Sequence, residues 1–303
     1  MPDLGILKSR SLADASVNFL GKEFGLPVIP ANMKSVVDER VCERLSQGGY
    51  FYIMHRFGVD LIEFCRQAQD WKTVSISVGV KEEDAHDIIM LSRCGLRVDY
   101  VTIDIAHGHS TAMKKMIKLV KQRLPNAFVI AGNVASEKSV LDLIEWGADS
   151  IKVGIGQGSP CSTKDKTGFT APMFTCVQNC ANAASSRVPI IADGGIKCNG
   201  DIAKAIVAGA DLIMAGSLFS ACLDSSSENV EIEGRVYKKY FGSASEINKG
   251  HNNHVEGFER NIESNGMSFF EKMKEIKQDL QSSISYGGGK RLFDLKKSKY
   301  ILV

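Results

Sequence analysis

Eight short runs rich in Val, Ile, Ala and Tyr recur along this chain at a nearly constant interval, and that rhythm limits its fold more than any other feature. They cover residues 27–32, 50–56, 74–80, 100–107, 127–134, 150–156, 189–195 and 212–219, with starts separated by 23, 24, 26, 27, 23, 39 and 23 residues. Each is strand-length and closes near Gly, His, Asn or Asp. Helix-period stretches lie between them: 111–124 carries Met113, Met116, Ile117, Val120 and Leu124, and 137–146 carries Val140, Leu141, Leu143 and Ile144. Strands alternating with helices imply a parallel sheet. Eight such units predict an α/β chain folded as a (β/α)8 TIM barrel, an architecture of about 250 residues. A doubly wound sheet is the main competitor, but it rarely uses eight nearly equal units. The phrases Trp146-Gly147-Ala148-Asp149 and Ala208-Gly209-Ala210-Asp211 read as matching helix-to-strand joints, with glycine at the helix C′ position.

The one long interval follows the sixth run. It holds Gly154-Ile155-Gly156-Gln157-Gly158-Ser159-Pro160-Cys161-Ser162-Thr163. An oversized loop at the C-terminal end of a barrel strand is where this fold builds active sites. Alternate glycines let the backbone turn sharply and approach a ligand, which presents Cys161 to a cleft. Lys164 and Lys166 favour thiolate, the nucleophilic form. The same residues also suit a free cysteine on an ordinary glycine loop.

The seventh and eighth runs end in Asp193-Gly194-Gly195 and Gly216-Ser217, where barrels often bind phosphate through backbone N–H groups. Asp193 would suit a ribose diol. The alternative is a pair of glycine turns needed only for chain reversal. After the fourth run come Asp104, Ile105, Ala106, His107 and His109. Asp104 could bind a second ribose or an amide, and the two histidines lack a third partner for a metal.

Residues 223–267 are polar and glycine-rich, which makes them a disordered excursion or an active-site flap inserted after strand 8; Tyr237, Tyr240 and Phe241 argue for partial order. A last helix is expected over 267–284, with Phe269, Phe270, Met273, Ile276 and Leu280 on one face, ending at Tyr286-Gly287-Gly288-Gly289. The whole chain, 1–303, then reads as a single barrel domain. A net charge of +2 gives no field that demands nucleic acid, and no apolar run reaches the ~20 residues of a membrane span. The first 20 residues carry acids and lack the apolar stretch of a signal peptide. Eight scattered cysteines without a CxxC pair suit free thiols in a reducing cytoplasm. Cys176 and Cys180, four apart, would share a helix face and pack there.

The stretch from Lys152 to Thr163, with Ala192-Asp193-Gly194-Gly195, Gly216-Ser217 and Tyr240-Phe241-Gly242-Ser243-Ala244-Ser245-Glu246, resembles the inosine-monophosphate dehydrogenase and guanosine-monophosphate reductase superfamily along essentially the whole chain. Within it the chain is similar to the bacterial-type reductase branch. There is no room after residue 56 for a regulatory CBS pair, residues 223–267 contain no Arg-Tyr dipeptide, and Val255-Glu256-Gly257 resembles the reductase segment that bears a catalytic glutamate.

This resemblance implies NADPH-dependent reductive deamination of GMP to IMP and ammonia, with a covalent thioimidate on Cys161 and acid–base work by Thr163 and Glu256. It implies purine-nucleotide contacts from Asp193, Gly194, Gly195, Gly216, Ser217, Gly242, Ser243, Ala244, Val255 and Gly257. It places the nicotinamide nucleotide near Arg56, Asp104, Ile105, Ala106, Ile155, Gly156 and Tyr286, Gly287, Gly288 and Gly289, with Ser9 and Arg10 reaching it from a neighbouring subunit of a homotetramer. Carbonyls of Gly156, Gly158 and Cys161 match a monovalent-cation (K+) site. The loop departs from the family's usual Gly-Pro-Gly: here it reads Gly156-Gln157-Gly158-Ser159-Pro160, so a proline stands directly before the cysteine. The competing readings are a dehydrogenase core without its regulatory domain, oxidising IMP with NAD, and a nucleotide sensor without catalysis. Lys152, strand-borne before the glycine turn, reads as barrel interior and not as a Schiff-base lysine.

Overall fold

A computed structural model describes residues 1–243, 245–249 and 255–301. Seven of the eight runs form one parallel sheet. Its spatial order is Val28–Pro30, Leu212–Ala215, Ile190–Asp193, Ser150–Val153, Phe128–Val134, Tyr100–Asp104 and Ser75–Val78. Each strand pairs with its neighbours in this spatial order, and the first barrel strand in the chain, Val28–Pro30, pairs with the last, Leu212–Ala215, as in a TIM barrel.

The second run differs from expectation. It contributes a single parallel bridge, Met54 to Ile76. The Met54 N–H donates to the Ser75 carbonyl (3.0 Å), and the Met54 carbonyl accepts from both the Ser77 amide (2.9 Å) and the Ser77 hydroxyl (2.7 Å). The Tyr52 hydroxyl donates to the Thr73 carbonyl at 2.7 Å. Side chains therefore supply bonds that a ladder would otherwise make, and Phe51, Tyr52, Ile53 and Met54 are wholly buried.

The helices start where the sequence offers caps. Asp38 accepts from the Val41 amide (2.8 Å) to open Glu39–Gln47, and Ser110 from the Met113 amide to open Thr111–Arg123. Gly147 takes the left-handed conformation (φ +106) that ends Glu137–Trp146, as its place at C′ requires. Cys176 and Cys180 are both buried on Met173–Ala184. The last helix, Phe269–Tyr286, opens on a Ser268–Glu271 capping box and buries Phe269, Met273, Ile276, Leu280 and Ile284.

Two features position the site. A small hairpin, Val17–Phe19 with Lys22–Phe24, brings Phe19 and Phe24 against Phe51 and Tyr100, with ring centroids 4.9–5.8 Å apart for the closest pairs. Tyr100 begins its strand, so this cluster fills the N-terminal end of the barrel and leaves the C-terminal end for function. At that other end, much of 223–267 is ordered as a three-stranded antiparallel sheet of Asn229–Ile232, Arg235–Phe241 and Glu259–Glu263. The Ser35 hydroxyl ties it to the barrel by donating to the Phe241 carbonyl at 3.0 Å. Among the described residues no helix is long and apolar enough to cross a membrane.

His55, 5% exposed, accepts the Phe57 amide on Nδ1 and stacks on the Phe57 ring. Burial, helped by Lys34, lowers its pKa from 6.5 to about 4. The unfolded chain therefore binds one more proton than the folded chain between those values, and stability must fall as pH drops through that window. The loss should approach about 3 kcal/mol. Chemical denaturation at pH 7 and pH 4.5 is expected to show it, and His55→Gln should remove most of the difference. An unchanged slope in that variant would place the acid sensitivity elsewhere.

Candidate active site

The sulfur of Cys161 lies at the head of a short relay. Its Sγ is 3.2 Å from Thr163 Oγ1, and that hydroxyl donates to Glu256 Oε2 at 2.5 Å. Thr163 is only 8% exposed, so the middle of the relay is screened from bulk water. The chain makes this arrangement with backbone pairing. Cys161 forms an antiparallel bridge with Gly257, the Ser162 amide donates to the Glu256 carbonyl (2.9 Å), and the Phe258 amide donates to the Pro160 carbonyl (2.9 Å). The Lys166 ammonium adds a bond to the Val255 carbonyl. Residues 255–258 are thus laid along the cysteine loop, and the carboxylate arrives behind the threonine.

Cys161 also differs in its surroundings from the buried thiols Cys42, Cys65 and Cys222. Burial pushes Cys42 well up, Cys65 to about 12 and Cys222 to about 11, which keeps them protonated and inert. Cys161 is half-buried and backed by a hydroxyl and a carboxylate.

The glycine turns expected to hold a phosphate converge on the same place. Gly194 (φ +94) lies so close to the cysteine loop that a Cβ there would come 2.9 Å from the Gly158 nitrogen. A Cβ on Gly216 would come 2.1 Å from the Tyr240 hydroxyl, so only glycine fits under that ring. Tyr240 is buried, and among the described residues the one hydrogen-bond partner of its hydroxyl is the weakly accepting Met33 sulfur at 3.8 Å. This donor beside Gly216 and Ser217 is available to an anion, a role the sequence reading did not give it. Gly242 packs on Pro160 and Gly257. Asp193, Gly195, Ser243, Val255 and Gly257 belong to these same segments, whereas Ala244 lies outside the described residues.

Beside these glycine turns, a buried polar row crosses the barrel mouth. Asn32 Nδ2 donates to Asp104 Oδ2 (2.8 Å), and the Lys152 ammonium pairs with both Asp104 Oδ1 (3.1 Å) and Asp193 Oδ2. Asn133 Nδ2 donates to Asp193 Oδ2 (2.9 Å) and to the Gly154 carbonyl (2.7 Å). Burial alone would raise the Asp104 pKa, but Lys152, Asn32 and Arg56 more than offset it and hold that carboxyl below its ordinary value. Burial would likewise lower Lys152, yet the two carboxylates raise it above its ordinary value, so it stays charged.

The residues expected to meet a nicotinamide nucleotide fall into two groups. Asp104, with Arg56 acting on it, Ile105 and Ala106 following it, and Ile155 and Gly156 are at the barrel mouth. Ser9, Arg10 and Tyr286–Gly289 form a separate cluster in which the Arg10 guanidinium lies 5.3 Å from the Tyr286 ring centroid and the Asp3 amide donates to the Tyr286 carbonyl. No described hydrogen bond joins that cluster to the cysteine loop. Of the proposed cation carbonyls, Gly158 already accepts the Cys161 amide at 3.0 Å, which leaves its second lone pair. His109 pairs with Asp142 (2.7 Å) and stacks on Trp146. Among the described residues no three His, Cys, Asp or Glu side chains gather as a metal site.

Residues 15–303 match the profile of a family described as IMP dehydrogenase / GMP reductase domain. The chain belongs to this family. Similar proteins named GMP reductase include those of Leptothrix cholodnii and Acidovorax ebreus, 48% and 47% identical over 98% of this chain and 91% of theirs. That of Staphylococcus carnosus is 48% identical over 100% of this chain and 94% of its own.

Within this family member, sequence reasoning missed Asn32, Asn133 and Tyr240 as site residues, and it treated Lys152 as interior packing. A signal was present for the first two, since each is a polar residue at or just past the C-terminal end of a barrel strand.

Proposed function

We propose that the chain is an oxidoreductase that reductively deaminates GMP to IMP and ammonia with NADPH. The observation that carries this reading is the Cys161–Thr163–Glu256 relay, which puts a proton path directly behind a half-buried thiol. Identities of 47–48% to proteins named GMP reductase support the substrate.

In this reading the 5′-phosphate lies on Gly194, Gly195, Gly216 and Ser217 with the Tyr240 hydroxyl, and the ribose meets Asp193. Contacts from Gly242, Ser243, Ala244, Val255 and Gly257 complete the purine site. The Cys161 thiol proton passes through Thr163 to Glu256. The thiolate forms a bond to purine C2, the C2–N bond breaks, and the relay returns a proton to the departing ammonia, leaving a thioimidate. The nicotinamide supplies hydride to C2 when bound, and Arg56, Asp104, Ile105, Ala106, Ile155 and Gly156 would line its place. Cys161 leaves as thiolate and IMP is released. Ser9, Arg10 and Tyr286, Gly287, Gly288 and Gly289 would hold the distal part of the nucleotide across a subunit boundary in a homotetramer. Carbonyls of Gly156, Gly158 and Cys161 would take K+. Residues 223–267 act as the flap of a single cytoplasmic barrel domain.

The test is to supply GMP with NADPH, and separately IMP with NAD, and to follow nicotinamide absorbance. Loss of NADPH only with GMP, with ammonia released in equal amount, is the expected result. NADH formation from IMP would make the chain a dehydrogenase, and GMP binding without turnover would make it a sensor.

A further inference from the structure

Lys152 is the most deeply placed charge in the barrel mouth, at 2% exposure. It is the only cation paired with both Asp104 and Asp193 among the described residues, and those carboxylates come from the ends of two strands, Tyr100–Asp104 and Ile190–Asp193, that are not neighbours in the sheet. Two strands lie between them, and of these Ser150–Val153 carries the lysine and Phe128–Val134 carries Asn133. Asn32 and Asn133 give each carboxylate one further donor, so the row Asn32–Asp104–Lys152–Asp193–Asn133 takes one residue from each of five segments.

We propose that Lys152 is a positioning residue that clamps Asp104 and Asp193 into one hydrogen-bonded unit, which keeps both as hydrogen-bond acceptors for the two nucleotides. The proposal rests on the reading above that Asp193 meets the purine ribose and Asp104 the nicotinamide nucleotide. Two carboxylates that both reach one ammonium lie close enough to repel when that ammonium is removed, and in a screened site they then share a proton. A protonated carboxyl donates one bond and loses acceptor capacity, so the ligand hydroxyl it faced loses its partner. Arg56 also acts on Asp104, and the Asp193 charge is felt by the buried Tyr240 hydroxyl. Both groups remain in every variant below, so a change in the single variants reports Lys152.

The experiment compares the full chain with Lys152→Met, Lys152→Arg and the double variant Lys152→Met/Asp104→Asn. Infrared titration of carboxyl groups is done on the ligand-free protein, and KM for GMP is measured against pH at saturating NADPH. Lys152→Met is expected to gain one carboxyl that titrates between about pH 5 and 8, and its KM for GMP should rise about tenfold per pH unit below that midpoint, with kcat changing less. The double variant should lose that titration and flatten the KM profile, and Lys152→Arg should resemble the parent.

A Lys152→Met protein with no new carboxyl and an unaltered KM profile, merely less heat-stable, would overturn the clamp. So would a double variant as unfolded as the single, because removing one carboxylate should relieve the repulsion. A new carboxyl accompanied by a flat KM profile would support the clamp while removing the GMP ribose from Asp193.

Discussion

Cys161→Ala is expected to lower kcat for GMP reduction by about four orders of magnitude or more, because no described side chain beside the relay can replace the bond from sulfur to C2. GMP affinity should change by no more than a few-fold. The glycine turns proposed for the phosphate and Asp193 belong to other segments, and the cysteine loop holds its turn through the backbone bond from the Cys161 amide to Gly158. Steady-state NADPH oxidation together with equilibrium GMP binding separates these effects. Acid-quenched parent enzyme should also carry a purine-nucleotide adduct on the Cys161 peptide that the variant lacks. Turnover within tenfold of the parent would remove Cys161 as nucleophile.

The second large effect is expected at Glu256. Glu256→Gln keeps the size of the side chain, and the bonds from Ser162 to the residue 256 carbonyl and from Cys161 to Gly257 are main-chain, so the segment should stay docked. What goes is the carboxylate that accepts the Thr163 hydrogen bond. A fall in kcat of about 10²–10⁴-fold follows if this group acts as general acid and base. KM for GMP should move far less. If affinity and kcat fell together, Glu256 would be acting as a latch for 255–258 and not as a proton carrier. Thr163→Ala cuts the same path one atom earlier and should give no additive loss when combined with Glu256→Gln.

The barrel could be read from the sequence because its punctuation is local. Glycine at 147 and serine at 110 and 136 act within one helical turn, and each strand run carries its own apolar content. The hairpin Val17–Phe19 with Lys22–Phe24 escaped notice because three-residue strands carry no measurable period. Its role depends on Tyr100, some eighty residues away. Cys161 could be found from its glycine loop, but Glu256 could be reached only through family resemblance. It stands 93 positions from Thr163 in a polar stretch, and the backbone bridge that delivers it has no side-chain signature. Lys152 could be read as interior, yet its two partners lie 48 and 41 positions away on either side and become visible only once the strands curl together. Tyr240 was legible as part of a motif, while its place over Gly216 follows from the absent Cβ.

The main-chain seam between the cysteine loop and residues 255–258 tolerates substitution in a way that a side-chain contact would not. Amide and carbonyl groups are the same whatever side chain is attached, so the address that brings the carboxylate to the threonine is written in a medium that substitution does not erase. Phe258, 44% exposed, can be exchanged without loosening its amide from Pro160. A substitution in this segment then acts through what the side chain itself touches: at Glu256 through the bond it accepts from Thr163, and at Gly257 through its close packing against Gly242.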